Sequence, residues 1–318
     1  MNKKLSPTLS VVVPLYNEAA SLPQLYESLK PVLDGLGFSY EIIFVNDGSV
    51  DRSATVLGEL AARDRAVHVL TLARNFGKEV AVTAGIHRAA GEATIMLDAD
   101  GQHPVEAIPE FVDCWRAGAK VVVGRRSNRQ TSLLKHMGSR LFYGAFRRFT
   151  GIPIDLETSD YRLIDREVQA QFCTMTERNR ITRGLIDWLG YERQYVMFAE
   201  NARLAGVPPY SLRKLFKLAI DSAISLSTSP LYLTAYIGVV VLPLATLLGL
   251  GMSLNFLFHD PIGLHATGTA YVAVLLLFLI GLLLVSQGII GLYLSHIHSE
   301  TQNRPLYVID ESRSKGWS

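Results

Sequence analysis

Two aspartates two residues apart, Asp98 and Asp100, follow the apolar run Thr94-Ile95-Met96-Leu97 and open the segment Asp98-Ala99-Asp100-Gly101-Gln102-His103-Pro104. Two carboxylates at the end of a buried strand are costly without a positive partner. A hard divalent ion bridging a diphosphate would relieve the repulsion, since Mg²⁺ is ordinarily held by one or two carboxylates plus phosphate and water oxygens. The bland alternative is a solvated acidic turn. Two other apolar runs end in polar groups: Pro14-Leu15-Tyr16-Asn17-Glu18, and Asn46-Asp47-Gly48-Ser49 followed by Asp51. Carboxylates at such ends can accept hydrogen bonds from a base or a ribose. Ser49 suits a helix cap, and Asp51 stands evenly between cap and ligand. Neither GxGxxG nor GxxxxGK[ST] occurs, which leaves dinucleotide and P-loop readings without their motif.

These residues need a scaffold, and the periodicity supplies one. Ser10–Leu15, Glu41–Asn46, Val67–Leu72, Ala93–Asp98 and Lys120–Gly124 are short, β-branched and bounded by turn residues, as buried strands are. Ala19–Leu36, Asp51–Arg63, Phe76–Ala90 and Val105–Ala117 read as helices between them. Repeated βα units predict right-handed crossovers and an α/β, Rossmann-like, largely parallel sheet. Ligands of such sheets bind at the carboxyl ends of the strands, where the polar clusters fall.

The chain has 318 residues and a net charge of +2, from 31 Lys+Arg and 29 Asp+Glu, which excludes a general nucleic-acid binder. Cys114 and Cys173 make neither a disulfide scaffold nor a metal-ligand spacing, so a reducing compartment is expected. Lys3 and Lys4 precede only the short run Leu9–Leu15, broken by Pro14, which reads as a strand and not as a secretion signal. A mean hydropathy of +0.21 with 19% charged residues is high for a soluble protein. The excess lies late in the chain. Ser222–Phe258 and Pro261–Ser299 contain no Asp, Glu, Lys or Arg. They predict two membrane spans, about 232–257 and 269–294, within a hairpin over 231–298. Arg203, Arg213, Lys214 and Lys217 precede the first span, and Arg304, Arg313 and Lys315 follow the second. Basic flanks put both termini on the cytoplasmic side. Leu212–Leu226 reads as an amphipathic interfacial helix within 211–230. Lys135–Phe149 is also amphipathic, with core packing an equal reading. Residues 1–210 then form the catalytic domain and 299–318 a cytoplasmic tail.

Taken in order, Val12–Glu18, Val45–Ser49 and Asp98–Pro104 resemble the family 2 glycosyltransferases of GT-A fold. The narrower resemblance is to polyprenyl-phosphate glycosyltransferases, such as dolichol-phosphate mannose synthase and the GtrB-type undecaprenyl-phosphate glucosyltransferases. Thr158-Ser159-Asp160-Tyr161-Arg162-Leu163-Ile164-Asp165-Arg166, Arg180–Leu185, Arg203 with Ala205-Gly206, and the two apolar spans support it. The resemblance implies that Pro14, Tyr16 and Glu18 line the nucleoside pocket and that Asp47 binds the base. It implies that Asp98 contacts the donor's ribose or metal region and that Asp100 and Gln102 bind Mg²⁺ or Mn²⁺. Asp160 falls at the family's acceptor-side carboxylate, with Asp155 as the alternative. Arg126, Arg183, Arg203 and Lys135 fall at basic positions for the donor diphosphate or lipid phosphate; Arg125 beside Arg126 leaves that arginine open. Ser159 departs from the glycine common before this aspartate.

The implied reaction is an inverting transfer of a hexose, with UDP-glucose favoured, from a nucleotide sugar to a polyprenyl phosphate at the cytoplasmic face of the inner membrane. Catalysis would rest on Asp160, Asp100 and Arg183; the partners are the nucleotide sugar, the lipid phosphate and the bilayer, with homo-oligomerisation open. One alternative is a processive polysaccharide synthase, whose Gln-x-x-Arg-Trp motif is not visible here. The other is a non-catalytic nucleotide-sensing membrane scaffold.

Overall fold

The computed structural model describes residues 7–127, 158–178, 180–201 and 268–317, with isolated positions between 243 and 258. Strands β1 (Leu9–Leu15) and β2 (Tyr40–Asn46) are buried along nearly their whole length, the pattern of strands covered on both faces. The same holds for β3 (Val67–Thr71), β4 (Ala93–Met96) and the first four residues of β5 (Val121–Arg126). Helices α1 (Leu22–Gly35), α2 (Ser53–Arg63), α3 (Lys78–Arg88) and α4 (Ile108–Arg116) connect them. In α1, Leu22, Leu25, Leu29 and Leu33 recur at helical spacing and are buried, which docks that face on the sheet. These elements match the sequence expectation within a few residues at each end.

The chain continues through β6 (Thr158–Asp165), α5 (Arg166–Thr174), α6 (Thr182–Trp188) and β7 (Arg193–Phe198). None of these four was expected as an element. The sheet has seven strands in the order β3-β2-β1-β4-β6-β5-β7. Only β6 runs against its neighbours, β4 and β5; the other pairs are parallel. The largely parallel α/β expectation therefore holds. The reversal has a consequence: the first residues of β6 lie at the same edge as the last residues of β4.

One core layer packs α1, α2 and α4 on the sheet through Leu25, Leu57, Ile108 and Phe111. The opposite layer packs α3, α5 and α6 through Ala84, Val168, Phe172 and Ile186. Residues 304–317 belong to this same unit. Tyr307, Ile309 and Trp317 pack against the second layer.

Helix α7 (Gly268–Thr301, 34 residues) belongs to a second unit. It holds no Asp, Glu, Lys or Arg before Glu300, and its backbone is helical throughout. Counting only residues with described side chains, no helix is long and apolar enough to cross a membrane. The expected second span falls on α7. The segment 211–230, Lys135–Phe149 and, apart from isolated positions, the first span 232–257 lie outside the described residues.

Candidate active site

The antiparallel β4–β6 register pairs Ala93 with Asp165 and Met96 with Arg162. Continued past the end of β4, it sets Asp98 opposite Asp160. Lys78, the first residue of α3, lies between them. Its ammonium donates to both oxygens of Asp98 at 2.8 and 2.9 Å and to Asp160 Oδ2 at 3.0 Å. An ammonium has three N–H groups, and three carboxylate oxygens surround this one. Burial disfavours the charge on Asp160, but Lys78 and Arg183 outweigh it and hold the carboxyl well below the usual range. Burial likewise works against the Lys78 charge, and Asp98 and Asp160 push its pKa well above the ordinary lysine value.

These groups share an open cleft of about 350 Å³ with Pro14, Arg162, Thr182 and Arg183. Four residues expected in the site thus meet there: Pro14, Asp98, Asp160 and Arg183. Arg183 is placed by α6, whose position depends on β6. Arg162, 1% exposed, donates to Asp187 of α6 at 2.7 and 3.4 Å and to the Arg183 carbonyl at 3.3 Å. Glu79, next to Lys78, accepts the Thr182 N–H at 2.8 Å and joins α3 to the start of α6.

Asp100 and Gln102 form a tight turn at Gly101 (φ 76°), the Gln102 N–H donating to Asp100 Oδ1 at 3.1 Å. His103 closes it. This side chain is 3% exposed, and burial lowers its pKa and keeps it neutral, so Nδ1 can accept the Asp98 N–H at 3.1 Å. Its ring stacks on Tyr161 at 4.9 Å. Among the described residues no group of three His, Cys, Asp or Glu side chains could hold a metal ion. Asp98 and Asp100 supply two carboxylates, the hard oxygen donors that a cation arriving with a diphosphate takes.

The nucleoside-side residues divide. Tyr16 is 44% exposed at the end of β1. Glu18 accepts from the Ser21 hydroxyl at 2.9 Å. Asp47 is turned inward: its two oxygens accept the Phe76 and Gly77 N–H groups at 2.7 and 2.8 Å. Burial raises its pKa against the pull of those amides and Arg74. These contacts hold the loop leading to Lys78. Gly48 (φ 65°) permits this, because a Cβ there would collide with the Arg74 carbonyl carbon and stand 2.7 Å from the Asn75 nitrogen. Ser49 is no helix cap; its hydroxyl accepts the Asn17 N–H at 3.0 Å. Asp51 ties two loops by accepting from Ser53 and Ala19 at 3.0 and 3.1 Å.

Arg126 pairs with Glu200 at 3.3 Å, and Arg125 lies over the Tyr195 ring at 5.6 Å. Ser159 is accommodated in place of glycine, donating to the Gly124 carbonyl at 3.1 Å. Lys135, Asp155 and Arg203 lie outside the described residues.

Sequence reasoning missed Lys78, Arg162 and His103. Two of them broke local rules. A lysine opening a helix opposes the helix dipole, and an arginine inside the run Tyr161–Ile164 must be buried with its charge.

A model of the family described as glycosyl transferase family 2 matches residues 10–172. This chain belongs to that family. The family 2 region runs from β1 into α5 and takes in Lys78, Asp98 and Asp160, while Arg183 follows it. Among curated relatives, an uncharacterized glycosyltransferase of Synechocystis is 39% identical over 306 residues, 95% of each chain. The bactoprenol glucosyl transferase of Shigella phage SfII is 35% identical over 306 residues, 96% of this chain and 98% of that one. Among solved structures, mannosyl-3-phosphoglycerate synthase from Rubrobacter xylanophilus matches with a TM-score of 0.51 and 16% identity, over 69% of this chain and 72% of that chain, a likeness of fold.

Proposed function

We propose that this glycosyltransferase moves a hexose, glucose from UDP-glucose, onto undecaprenyl phosphate at the cytoplasmic face of the inner membrane. The observation that carries this reading is the Lys78-bridged pair Asp98 and Asp160, set beside Arg183 in one open cleft. The bactoprenol glucosyl transferase relative, matched over 98% of its length, supports the choice of sugar and lipid.

Asp98, Asp100 and the Gln102 amide oxygen would hold Mg²⁺ or Mn²⁺, whose chemistry is to neutralise charge on a departing diphosphate. Arg183 adds a fixed guanidinium suited to phosphate oxygens. A phosphate monoester has a second pKa of about 6 and is mostly dianionic at neutral pH, so the acceptor needs little deprotonation. Asp160, already ionised and ion-paired, serves to orient the acceptor or Arg183 and is not required as a base. Lys78 bridges the two acids and helps to hold Asp160 ionised.

The same reading puts α7 in the bilayer as the second arm of a hairpin, with both termini cytoplasmic. Thirty-four helical residues reach about 50 Å, against a hydrocarbon core of about 30 Å. Val272, Leu276, Phe278, Ile280 and Leu283 of α7 are exposed, which lipid favours and water does not.

The test is to incubate membranes containing the chain with Mn²⁺ or Mg²⁺, undecaprenyl phosphate and each of UDP-glucose, UDP-galactose, UDP-N-acetylglucosamine and GDP-mannose, then extract lipids for mass spectrometry. A hexosyl lipid from UDP-glucose that disappears in Asp100→Ala is expected. Absence of any glycosylated lipid from every donor would overturn the proposal.

A further inference from the structure

Strand β3 is the edge of the sheet, and residues 304–317 cover it as a strap. Val69 and Lys315 exchange two backbone hydrogen bonds, each 2.9 Å, and the Asp310 N–H donates to the Thr71 carbonyl at 2.8 Å. Trp317 Nε1 donates to the Val69 carbonyl at 2.9 Å. Protecting an edge from stray pairing would account for these contacts. It does not account for the others. At the start of the loop to α3, the Ala73 N–H donates to the Val308 carbonyl at 2.8 Å. In the last turn of α3, His87 Nδ1 lies 3.0 Å from the Tyr307 hydroxyl. Arg88 pairs with Glu311 at 3.3 Å and lies over the Trp317 ring at 5.5 Å. Phe76, in the loop just before Lys78, packs on the same core layer as Tyr307, Ile309 and Trp317.

The strap therefore grips the segment 73–88 at both ends, and Lys78 lies between the grips. We propose that Arg304–Trp317 is a positioning element for the catalytic centre, holding α3 so that the Lys78 ammonium meets Asp98 and Asp160. The proposal rests on the proposed transfer reaction only for the activity to be measured. Tyr307, Ile309 and Trp317 are positioning residues that act through α3 and its loop. The strap starts three residues after the last residue of α7, so the catalytic unit joins the apolar helix through a segment bound to its own active-site helix.

The experiment compares the full chain, Ile309→Ala/Trp317→Ala and Tyr307→Phe, by amide hydrogen exchange and by sugar transfer. Expected for the double variant is an exchange rate at residues 73–80 raised at least about tenfold while β1 and β2 keep their protection. Its kcat should fall about tenfold with KM for the lipid within about twofold, the pattern of a lost transition-state interaction. In a Lys78→Gln background the same strap changes should cost less than about twofold, because the two lesions act through one group. A purely structural strap would instead give losses that multiply. Should the double variant not fold, Tyr307→Phe removes a single hydroxyl and is read the same way, with smaller changes. Faster exchange within the strap while residues 73–80 and kcat stay as in the parent would overturn the proposal. Hydrogen exchange needs no substrate, so a parent chain without transfer activity would count against the proposed function and leave this measurement decisive for the strap.

Discussion

Asp98, two residues beyond β4, and Asp160 of β6 share one counter-charge, the Lys78 ammonium, at 2.8 and 3.0 Å. Their sequence separation is bridged by the reversal of β6, which brings the beginning of one strand to the end of another. Directly opposed like charges destabilise a strand pair. The lysine converts that repulsion into a three-member charged cluster at the floor of the cleft.

Replacing that lysine should cost activity more than stability. Lys78→Gln leaves two unscreened facing carboxylates beside a site for an anionic donor, and kcat should drop roughly 100-fold, as for loss of a fixed charge-stabilising donor. Lys78→Arg should recover part of the loss. Initial rates of labelled-sugar transfer, with the melting temperature as control, measure both.

The Asp160 carboxyl is depressed in the folded chain, against burial, by Lys78 and Arg183. With the folded pKa below the unfolded one, its stabilising charge is fully present above the ordinary carboxylate value near 4 and is lost only as pH falls through the depressed value. No titration of Asp160 should therefore appear between pH 6 and 8. Asp160→Asn should lose activity by a constant factor over that range and keep more than Asp100→Asn does. Equal, complete losses in the two variants would mean that orientation alone does not describe Asp160.

Chelation offers a separate check on the acidic turn. Treatment with EDTA should abolish transfer, and added Mn²⁺ or Mg²⁺ should restore it. In Asp100→Asn the cation concentration for half-maximal rate should rise at least about tenfold, as removal of one of few hard ligands implies. Metal titrations of the initial rate give the number.

Arg162 is a structural ion whose loss should show in stability. Arg162→Met strips a partner from Asp187, which among the described residues keeps Arg193 at 3.4 Å, and releases the start of α6. Breaking a buried pair costs about 3–5 kcal/mol, and the partial exposure of Asp187 puts the expected loss nearer about 2 kcal/mol. Urea unfolding with an unchanged m-value would verify it, and kcat should fall too because Arg183 shifts.

Much of this molecule was readable from residue order. The strands through Lys120–Gly124 and their helices are visible because a buried parallel strand must be apolar throughout, and each is punctuated by turn residues. The acids Asp98 and Asp100 stood out because charge beside an apolar run demands a partner, whereas Asp160 stood out only through the family resemblance. The apolar stretch of α7 was plain for the same reason. Other features required the fold. Lys78 acquires its meaning from β6 running backwards, a pairing between distant segments that no local period encodes. Asp47 suits a ligand role by its type and strand-end position, and only the fold shows that its oxygens accept amides about thirty residues away. The strap was invisible because its binding is largely backbone pairing to an edge strand, and backbone groups are the same whatever the side chains. Sequence thus determined which groups could carry charge or bury themselves, and the tertiary structure decided which of them meet.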